Sequence, residues 1–387
     1  MYPTISDLLK DLFGFYLPLP VQTFGFFVAL AFLTGAFVLT EELKRRENAG
    51  WLLPVYETRW VGKSPKVYQI ASYGFLGFIV GYKLGYSLFH WTEFATNTQA
   101  VLVSSKGNLA SGMLSGVIFL CLEYRAGQRK AKVSAGQFRK IWPHQRVGTI
   151  IGIAAIWGFA GAKLFDGLEN LNSYMENPWS SFLSFSGLTY YGGLIMAASG
   201  IFWYARKKDI NGWQLGDSAS PALMLSYGMG RVGCHMAGDG DWGIVNTHVK
   251  PFAALPDWLW SYTYPHNISN EGGFIPGCLG PHCFELPQGV YPTSVYEFIL
   301  CCALFCLLWR VRKKIKIPGL IFGLYLAMNG AERFLIELIR VNNKYVFWGI
   351  EATQAELISL ALLVSGVVII VLRLLSRPTI LTKPSNT

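Results

Sequence analysis

The sequence predicts an all-α polytopic membrane protein that crosses the bilayer about nine times and carries an irregular external cap. Of its 387 residues, 52% are hydrophobic and 14% are charged, and its mean hydropathy is +0.34. An ordinary soluble domain carries more charge and fewer apolar residues. The net charge of +10 does not indicate nucleic-acid binding, because the Lys and Arg residues form short clusters beside apolar runs.

The predicted spans are the long apolar runs. A helix needs about 20 apolar residues to cross the ~30 Å hydrocarbon core of a bilayer. Such runs occupy residues 21–40, 68–90, 108–124, 147–167, 187–205, 219–237, 293–311, 317–339 and 355–375. The third run is short and rich in glycine, which makes it the weakest of the set.

Positive charge alternates along these spans. Basic clusters at residues 44–46, 125–139, 206–208, 310–316 and 373–377 follow every second span. Because positive residues are retained on the cytoplasmic side, we expect the N-terminus and residues 238–292 outside and the C-terminus in the cytoplasm. Residues 1–19 lack the basic start of a signal peptide, so none is expected.

The spans divide the chain into five parts. Residues 1–60 hold the first helix, 61–141 an inserted helix pair with a basic cytoplasmic loop, 142–237 core helices, 238–292 the cap, and 293–387 the C-terminal core helices. The cap is rich in Pro, Gly, Trp and Asn and has no helical period. Cys278 and Cys283 both lie in it, and they can form a disulfide if the cap faces an oxidising compartment.

Arg231 lies in the stretch YGMGRVGCHMAGDGDWG at residues 227–243, near the outer end of the sixth span. A guanidinium in hydrocarbon costs at least ~2.5 kcal/mol, so this charge requires a partner or a function. Asp239, Asp241 and Trp242 follow it at the depth where water and lipid headgroups begin. The two aspartates lack a further set of residues with metal-ligand spacing, so no metal and no cofactor are expected.

Polar residues on three other helices reach the same depth. The eighth span ends with Arg333, Glu337 and Arg340 at positions i, i+4 and i+7, which share one helical face, and Glu332 lies on a different face. The fifth span begins with Tyr190 and Tyr191, and the seventh begins with Tyr291, Tyr296 and Glu297.

Two interpretations of this polar layer remain open. The residues are either structural ion pairs and an interfacial aromatic belt, or a site for an anion. Arg231, Arg333 and Arg340 outnumber Glu297 and Glu337. The surplus favours a phosphate diester such as a phospholipid headgroup, which guanidinium groups bind with paired hydrogen bonds.

Two glycine-rich segments, residues 73–89 and 157–170, resemble each other, and each has a lysine toward its outer end, Lys83 or Lys163. The resemblance indicates either two small-residue packing faces or a lysine that helps to bind an anionic headgroup.

These motifs together resemble the phosphatidylglycerol:prolipoprotein diacylglyceryl transferases of bacterial inner membranes. GRVGCHMAGDGDWG is similar to the family signature, with Arg231 at its arginine, Asp239 near its acidic position and Gly243 at its late glycine. The resemblance covers about residues 147–375, with a weaker match at residues 24–25. Other family motifs are matched by Gly192 and Gly193 followed by Leu194 and Ile195, by Pro292, Tyr296 and Glu297, and by Arg333 and Glu337.

The chain departs from the family pattern at three positions. Tyr191 and Tyr291 replace histidines, and Cys234 replaces the signature asparagine. A family histidine proposed as general base is therefore missing, and Tyr191 or His235 is expected to take its role. The inserted pair at residues 61–141 has no counterpart in the family pattern, so the chain looks like a divergent member.

The resemblance implies transfer of a diacylglyceryl group from phosphatidylglycerol to the lipobox cysteine of a prolipoprotein, with a thioether product and release of glycerol phosphate. Arg231 and Arg333 would bind the phosphate, and Glu337 would orient Arg333. The remaining residues expected to bind substrate are Gly192, Gly193, Cys234, Asp239, Gly243, Tyr296, Glu297, Arg340 and Lys163. The alternatives are a lipid or anion transporter and a family member that binds phospholipid without catalysing transfer.

Overall fold

The computed structural model describes residues 1–61, 67–96, 98–131, 135–176, 189–342, 344–347 and 350–376. Most of these residues are helical. The helices are α1 (Ile5–Phe13), α2 (Thr23–Asn48), α3 (Val67–Phe89), α4 (Trp91–Thr96), α5 (Thr98–Val103), α6 (Leu109–Ala131), α7 (Val147–Glu169), α8 (Leu171–Glu176), α9 (Tyr190–Lys207), α10 (Gly212–Ala237), α11 (Asp257–Trp260), α12 (Thr293–Val311), α13 (Leu320–Glu337) and α14 (Gln354–Ser376), with a 3-10 turn at Pro143–Arg146.

Each predicted span coincides with one of the long helices. Five described helical segments are both long and apolar enough to cross a membrane: Thr23–Asn48, Leu109–Ala126, Pro143–Glu169, Thr293–Val311 and Gln354–Ser376. The weakest predicted span, in α6, is among them. The spans assigned to α3, α9, α10 and α13 are helical but fall outside these five, so a count of nine stays a prediction.

Among the described residues, three two-stranded antiparallel sheets accompany the helices. They pair β1 (Val55–Val61) with β2 (Ala135–Ile141), β3 (Gly273–Phe274) with β4 (Phe284–Glu285), and β5 (Lys344–Phe347) with β6 (Ile350–Thr353). The first sheet joins the chain before α3 to the chain after α6. The predicted basic loop at 125–139 is therefore the end of α6 and the start of β2, and residues 132–134 lie outside the described residues.

Helices α3 and α6 pack tightly against each other through small residues. A Cβ at Gly77 would lie 2.6 Å from Phe119, and one at Gly81 would lie 2.3 Å from Cβ of Ser115. Lys83 donates hydrogen bonds to three backbone carbonyls, those of Ser104, Val101 at 3.0 Å and Lys106 at 2.9 Å. These contacts favour the packing interpretation of this glycine-rich helix.

Helix α10 lies at the centre of the core, in contact with α2, α9, α12 and α13. It begins at Gly212, earlier than the predicted residue 219, because the side chain of Asn211 caps its N-terminus. Glycines allow close approach on both sides: a Cβ at Gly228 would lie 2.9 Å from Cys301, and one at Gly233 would lie 2.9 Å from Phe27.

A buried ionic cluster joins the N-terminal end of α10 to α2, α12 and α13, and we call it the Glu42 cluster. Glu42 is bound by Arg45, Arg46 and Arg312. Asp217 lies inside α10, 3.5 Å from Arg46, and accepts hydrogen bonds from the backbone N–H groups of Gly319 and Phe322 at the start of α13.

The segment 238–292 has a small aromatic core of its own, formed by Trp242, Tyr264 and Val290. Cys278 and Cys283, for which the sequence left a disulfide open, are bonded to each other. Apart from α11 and the β3–β4 pair, the segment is irregular, as its composition predicts.

Candidate functional site

Glu297 is the centre of a second ionic cluster, at the C-terminal end of α10. It lies in the first turns of α12, its side chain is fully buried, and three arginines surround it. Arg333 lies 2.9 Å away, Arg340 lies 3.6 Å away, and Arg231 forms a close ion pair with its Oε2. We call this group, together with Asp241 and Glu337, the Arg231 cluster.

Helix α13 supplies both Arg333 and Glu337. The two side chains are one helical turn apart, and their ion pair measures 2.8 Å. Glu337 also accepts hydrogen bonds from Asn342 at 2.6 Å and from the hydroxyl of Thr353 at 2.7 Å. These contacts fix the Glu337 carboxylate, which in turn orients the Arg333 guanidinium.

Arg340 lies beyond the end of α13, so the predicted single helical face does not extend to it. It is placed by a backbone bridge to Gly243. The bridge requires glycine, because a Cβ at Gly243 would lie 2.6 Å from the carbonyl oxygen of Ile339 and 2.9 Å from Thr293. Gly243 therefore acts through close backbone approach.

Asp241 joins two of the arginines, since its carboxylate forms close ion pairs with Arg231 and Arg340. Its backbone carbonyl accepts hydrogen bonds from the hydroxyls of Thr293 at 2.9 Å and Ser294 at 2.7 Å. Burial acts to raise the pKa of Asp241, but the two guanidinium charges outweigh it and lower the pKa to about 2.

The sequence predicted a surplus of positive charge in this layer, and that prediction is wrong. It counted three arginines and only two carboxylates, those of Glu297 and Glu337. In the structure Asp241 joins them, so three carboxylates balance three guanidinium groups. The sequence shows that Asp241 follows α10, but it does not show that this loop turns back toward the arginines.

Cys234 and Asp239 lie beside Asp241. The ligand atoms of these three residues are all within 4.8 Å of one another, and Nη1 of Arg231 lies 3.9 Å from Sγ of Cys234. Although the spacing would suit a metal ion, Asp241 is already bound by two guanidinium groups, and their positive charge opposes a cation.

The two residues expected to transfer a proton have different surroundings. Tyr191 interacts electrostatically with Arg333 and Arg231, so it borders the Arg231 cluster. His235 is buried, its Nδ1 lies 3.2 Å from the hydroxyl of Tyr264, and its ring also contacts Tyr262 and Trp258. These are contacts with the aromatic residues of the 238–292 segment.

Several other predicted site residues have packing contacts. A Cβ at Gly192 would lie 2.4 Å from Phe165, and one at Gly193 would lie 3.0 Å from the carbonyl of Gly158, so both glycines fit α9 against α7. The hydroxyl of Tyr296 donates to the carbonyl of Leu259 at 2.9 Å. Lys163 is buried in α7.

Two residues near the cluster were missed as site residues. The Tyr227 ring lies 4.9 Å below the Arg231 guanidinium, and its hydroxyl lies 3.3 Å from Glu297. Glu332 is buried, and within the described ranges neither of its carboxylate oxygens has a hydrogen-bond partner. Spacing placed Glu332 on a separate face, but it could not show that this face is also buried.

The Arg231 cluster is partly accessible. The side chains of Arg231 and Arg333 are 15% and 14% exposed, and that of Asp241 is 25% exposed. An open apolar groove lies beside it, lined by residues that include Leu255, Leu259, Trp260, Tyr296 and Ile339.

Comparison with known proteins gives a consistent result. The model of a family described as prolipoprotein diacylglyceryl transferase matches residues 109–372, which is more than half of the chain. The match starts within α6, earlier than residue 147, where the resemblance was predicted to begin.

Curated relatives carry the name phosphatidylglycerol–prolipoprotein diacylglyceryl transferase. The protein of Proteus mirabilis is 26% identical over 271 residues, which cover 67% of this chain and 86% of the relative. That of Glaesserella parasuis is 25% identical over 264 residues, covering 66% and 86%. That of Pseudomonas aeruginosa is 24% identical over 241 residues, covering 61% and 79%.

Proposed function

The chain belongs to the prolipoprotein diacylglyceryl transferase family, and we propose that the Arg231 cluster is where it transfers a diacylglyceryl group from phosphatidylglycerol to a lipobox cysteine. In this reaction the cysteine sulfur forms a thioether bond with the glyceryl carbon. The bond from that carbon to the phosphate oxygen breaks, and glycerol phosphate leaves with the bonding electrons. The nucleophile belongs to the substrate, so the enzyme must bind the phosphate and accept the thiol proton.

The observation that carries this proposal is the meeting of Arg231, Arg333 and Arg340 around one buried carboxylate, Glu297. Guanidinium groups bind phosphate oxygens in pairs. Since Arg231 and Arg333 keep part of their surface exposed, a phosphate diester can bind there and take over some of the carboxylate contacts. Charge that develops on the departing phosphate is then stabilised by donors that are already in place.

Glu337 acts in this proposal by holding Arg333. Its bonds to Asn342 and Thr353 fix one side of the carboxylate, so its ion pair sets the direction of the guanidinium. Asp241 holds Arg231 from the other side and links it to Arg340.

Tyr191 is better suited to binding than to accepting a proton. A phenol with an unperturbed pKa near ~10 is a weak base at neutral pH, and Tyr191 lies against the phosphate-binding Arg333. We assign it to the phosphate site. The contacts of His235 with Tyr262 and Tyr264 support a structural role for that residue.

The apolar groove beside Tyr296 offers a surface for an acyl chain of the phospholipid.

We place the protein in the bacterial inner membrane, with the Arg231 cluster and the N-terminus on the periplasmic side and the C-terminus in the cytoplasm. The reason is that basic clusters follow every second helix.

The test is a transfer assay with purified protein, phosphatidylglycerol and a lipobox peptide, scored by the mass gained on the peptide cysteine. Arg231→Ala and Arg333→Ala are expected to abolish transfer, while both variants remain folded in the membrane. The control is Arg310→Ala, which removes an exposed arginine at the opposite end of α12. Normal transfer by both cluster variants would contradict the assignment, and phospholipid binding without transfer by the unmodified protein would favour a binding or transport protein.

A further inference from the structure

Asp239 differs from every carboxylate in the Arg231 cluster. Asp241, Glu297 and Glu337 are all bound to guanidinium groups. In the parts of the chain that the structure describes, Asp239 forms no ion pair. It is partly exposed, whereas Glu332, the other nearby carboxylate with no ion pair in these ranges, is buried.

The backbone holds Asp239 in a defined position. It lies between Gly238 and Gly240, whose φ angles of 67° and 95° are readily adopted only by glycine. Its Oδ1 accepts a hydrogen bond from the backbone N–H of Asp241 at 3.2 Å. The turn that ends α10 therefore directs this carboxylate toward the cluster.

The Asp239 carboxylate lies beside a sulfur atom. One of its oxygens is within 4.8 Å of Sγ of Cys234, and this sulfur lies 3.9 Å from Nη1 of Arg231. A carboxylate and a guanidinium that can bind phosphate therefore both lie next to one sulfur position. This is the arrangement required for a thiol that attacks a carbon next to that phosphate.

The electrostatic surroundings make Asp239 a stronger base than an ordinary aspartate. Burial and the negative charge of Asp241 raise its pKa, and they outweigh the opposing effects of the Cys234 thiol and Arg231. Tyr264, on the cap side, also interacts with it. A general base is most effective when its pKa lies closer to the working pH.

We propose that Asp239 is the proton acceptor of the transfer reaction. Its carboxylate takes the proton of the lipobox thiol as the sulfur attacks the glyceryl carbon, and the electrons of the broken C–O bond stay on the phosphate oxygen held by Arg231 and Arg333. The proton then leaves Asp239 for water or for the glycerol phosphate. This inference rests on the proposed function.

The test compares two peptides, one with the lipobox cysteine and one with selenocysteine in its place. A selenol is more acidic than a thiol and is ionised at neutral pH, so it needs no base. Asp239→Asn is expected to lower kcat with the thiol peptide by ~10²–10³-fold and with the selenol peptide by less than about tenfold. Asp239→Glu should recover part of the activity on the thiol peptide.

Glu271→Gln is the matched control, because it removes a carboxylate from the facing part of the cap, where Glu271 is exposed, and it should not change either rate. Phosphatidylglycerol binding by Asp239→Asn shows that the variant is folded. Equal losses with both peptides, or no loss with the thiol peptide, would overturn the role of Asp239. An unmodified protein that lipidates neither peptide would instead overturn the proposed function.

Discussion

Glu42 and Glu297 are both fully buried, and each is bound by three arginines. Glu42, in the Glu42 cluster, lies near the N-terminal end of α10, and Glu297, in the Arg231 cluster, lies near its C-terminal end. In the Glu42 cluster, indole rings cover the guanidinium groups: Arg45 and Arg46 lie over Trp51, and Arg312 lies 3.1 Å from the centre of the Trp309 ring.

Aromatic rings cover fewer of the guanidinium groups in the Arg231 cluster. The Tyr227 ring lies under Arg231, but in the described residues no ring lies over Arg333 or Arg340. The Nε of Arg340 also has no hydrogen-bond partner there. Its Asp241 is the most accessible carboxylate of either cluster.

The difference teaches that ion pairing alone does not distinguish a structural cluster from a binding site. A buried charge needs a partner in both cases. In the Glu42 cluster the carboxylates of Glu42 and Asp217 are buried, and Asp217 and Gln214 add contacts to Arg46, whose Nη2 has no hydrogen-bond partner in the described residues. In the Arg231 cluster Asp241 is 25% exposed, together with part of Arg231 and Arg333, so a ligand can reach these ion pairs.

Glutamine at each central position should give the largest effects. Glu42→Gln and Glu297→Gln each leave buried arginines with a missing charge partner, which costs ~3–5 kcal/mol of stability. Only Glu297→Gln should also lower the transfer rate per folded molecule. Thermal unfolding in detergent and transfer by the folded fraction measure the two effects, and equal loss of specific activity in both variants would remove the distinction between the clusters.

Lysine in place of one arginine tests whether paired hydrogen bonding matters. Arg333→Lys keeps the charge but loses the two-pronged donor, so transfer should fall by ~10²–10³-fold. Arg45→Lys makes the same change in the Glu42 cluster, where Arg45 also binds a carboxylate with two nitrogens. It should lower the unfolding temperature and leave transfer per folded molecule near normal. If Arg45→Lys impaired transfer as strongly, the two clusters would not differ in function.

Acid should weaken the Arg231 cluster through Asp241, with a smaller effect. Its pKa is lowered from 3.8 to about 2 in the folded protein, so its contribution to stability is complete above the unfolded value and is lost as the pH falls from about 4 to about 2. The contribution is roughly 2 kcal/mol, from about 1.4 kcal/mol per pKa unit. Unfolding temperatures measured across this range should fall more steeply for the unmodified protein than for Asp241→Asn, and parallel curves would contradict this contribution.

Much of the site could be predicted because its residues stand out against an apolar sequence. Arg231, Glu297, Arg333 and Glu337 are charged residues in or next to apolar helices, and the structure brings all four together. Helical spacing correctly predicted the Arg333–Glu337 pair, since residues one turn apart share a face whatever the surroundings. The disulfide between Cys278 and Cys283 was left open by the sequence, because its formation depends on the compartment that the loop faces, and the structure forms it.

Other parts of the site depend on contacts between segments distant in sequence. Gly192 and Gly193 were expected to bind substrate, which stays a prediction, and their packing of α9 on α7 was not foreseen. Asp241 was not expected to balance the arginines, yet its loop turns back into the cluster. Arg340 was placed on a helix that ends before it.

The sequence by itself determined where the helices lie and which of them carry charge, because hydropathy and helical period are local properties that each segment carries unaided. Only the tertiary structure decided which charges neutralise one another and which keep an exposed face. Those outcomes depend on the close approach of distant backbones, such as the Gly243–Arg340 bridge, and on the burial that this approach produces.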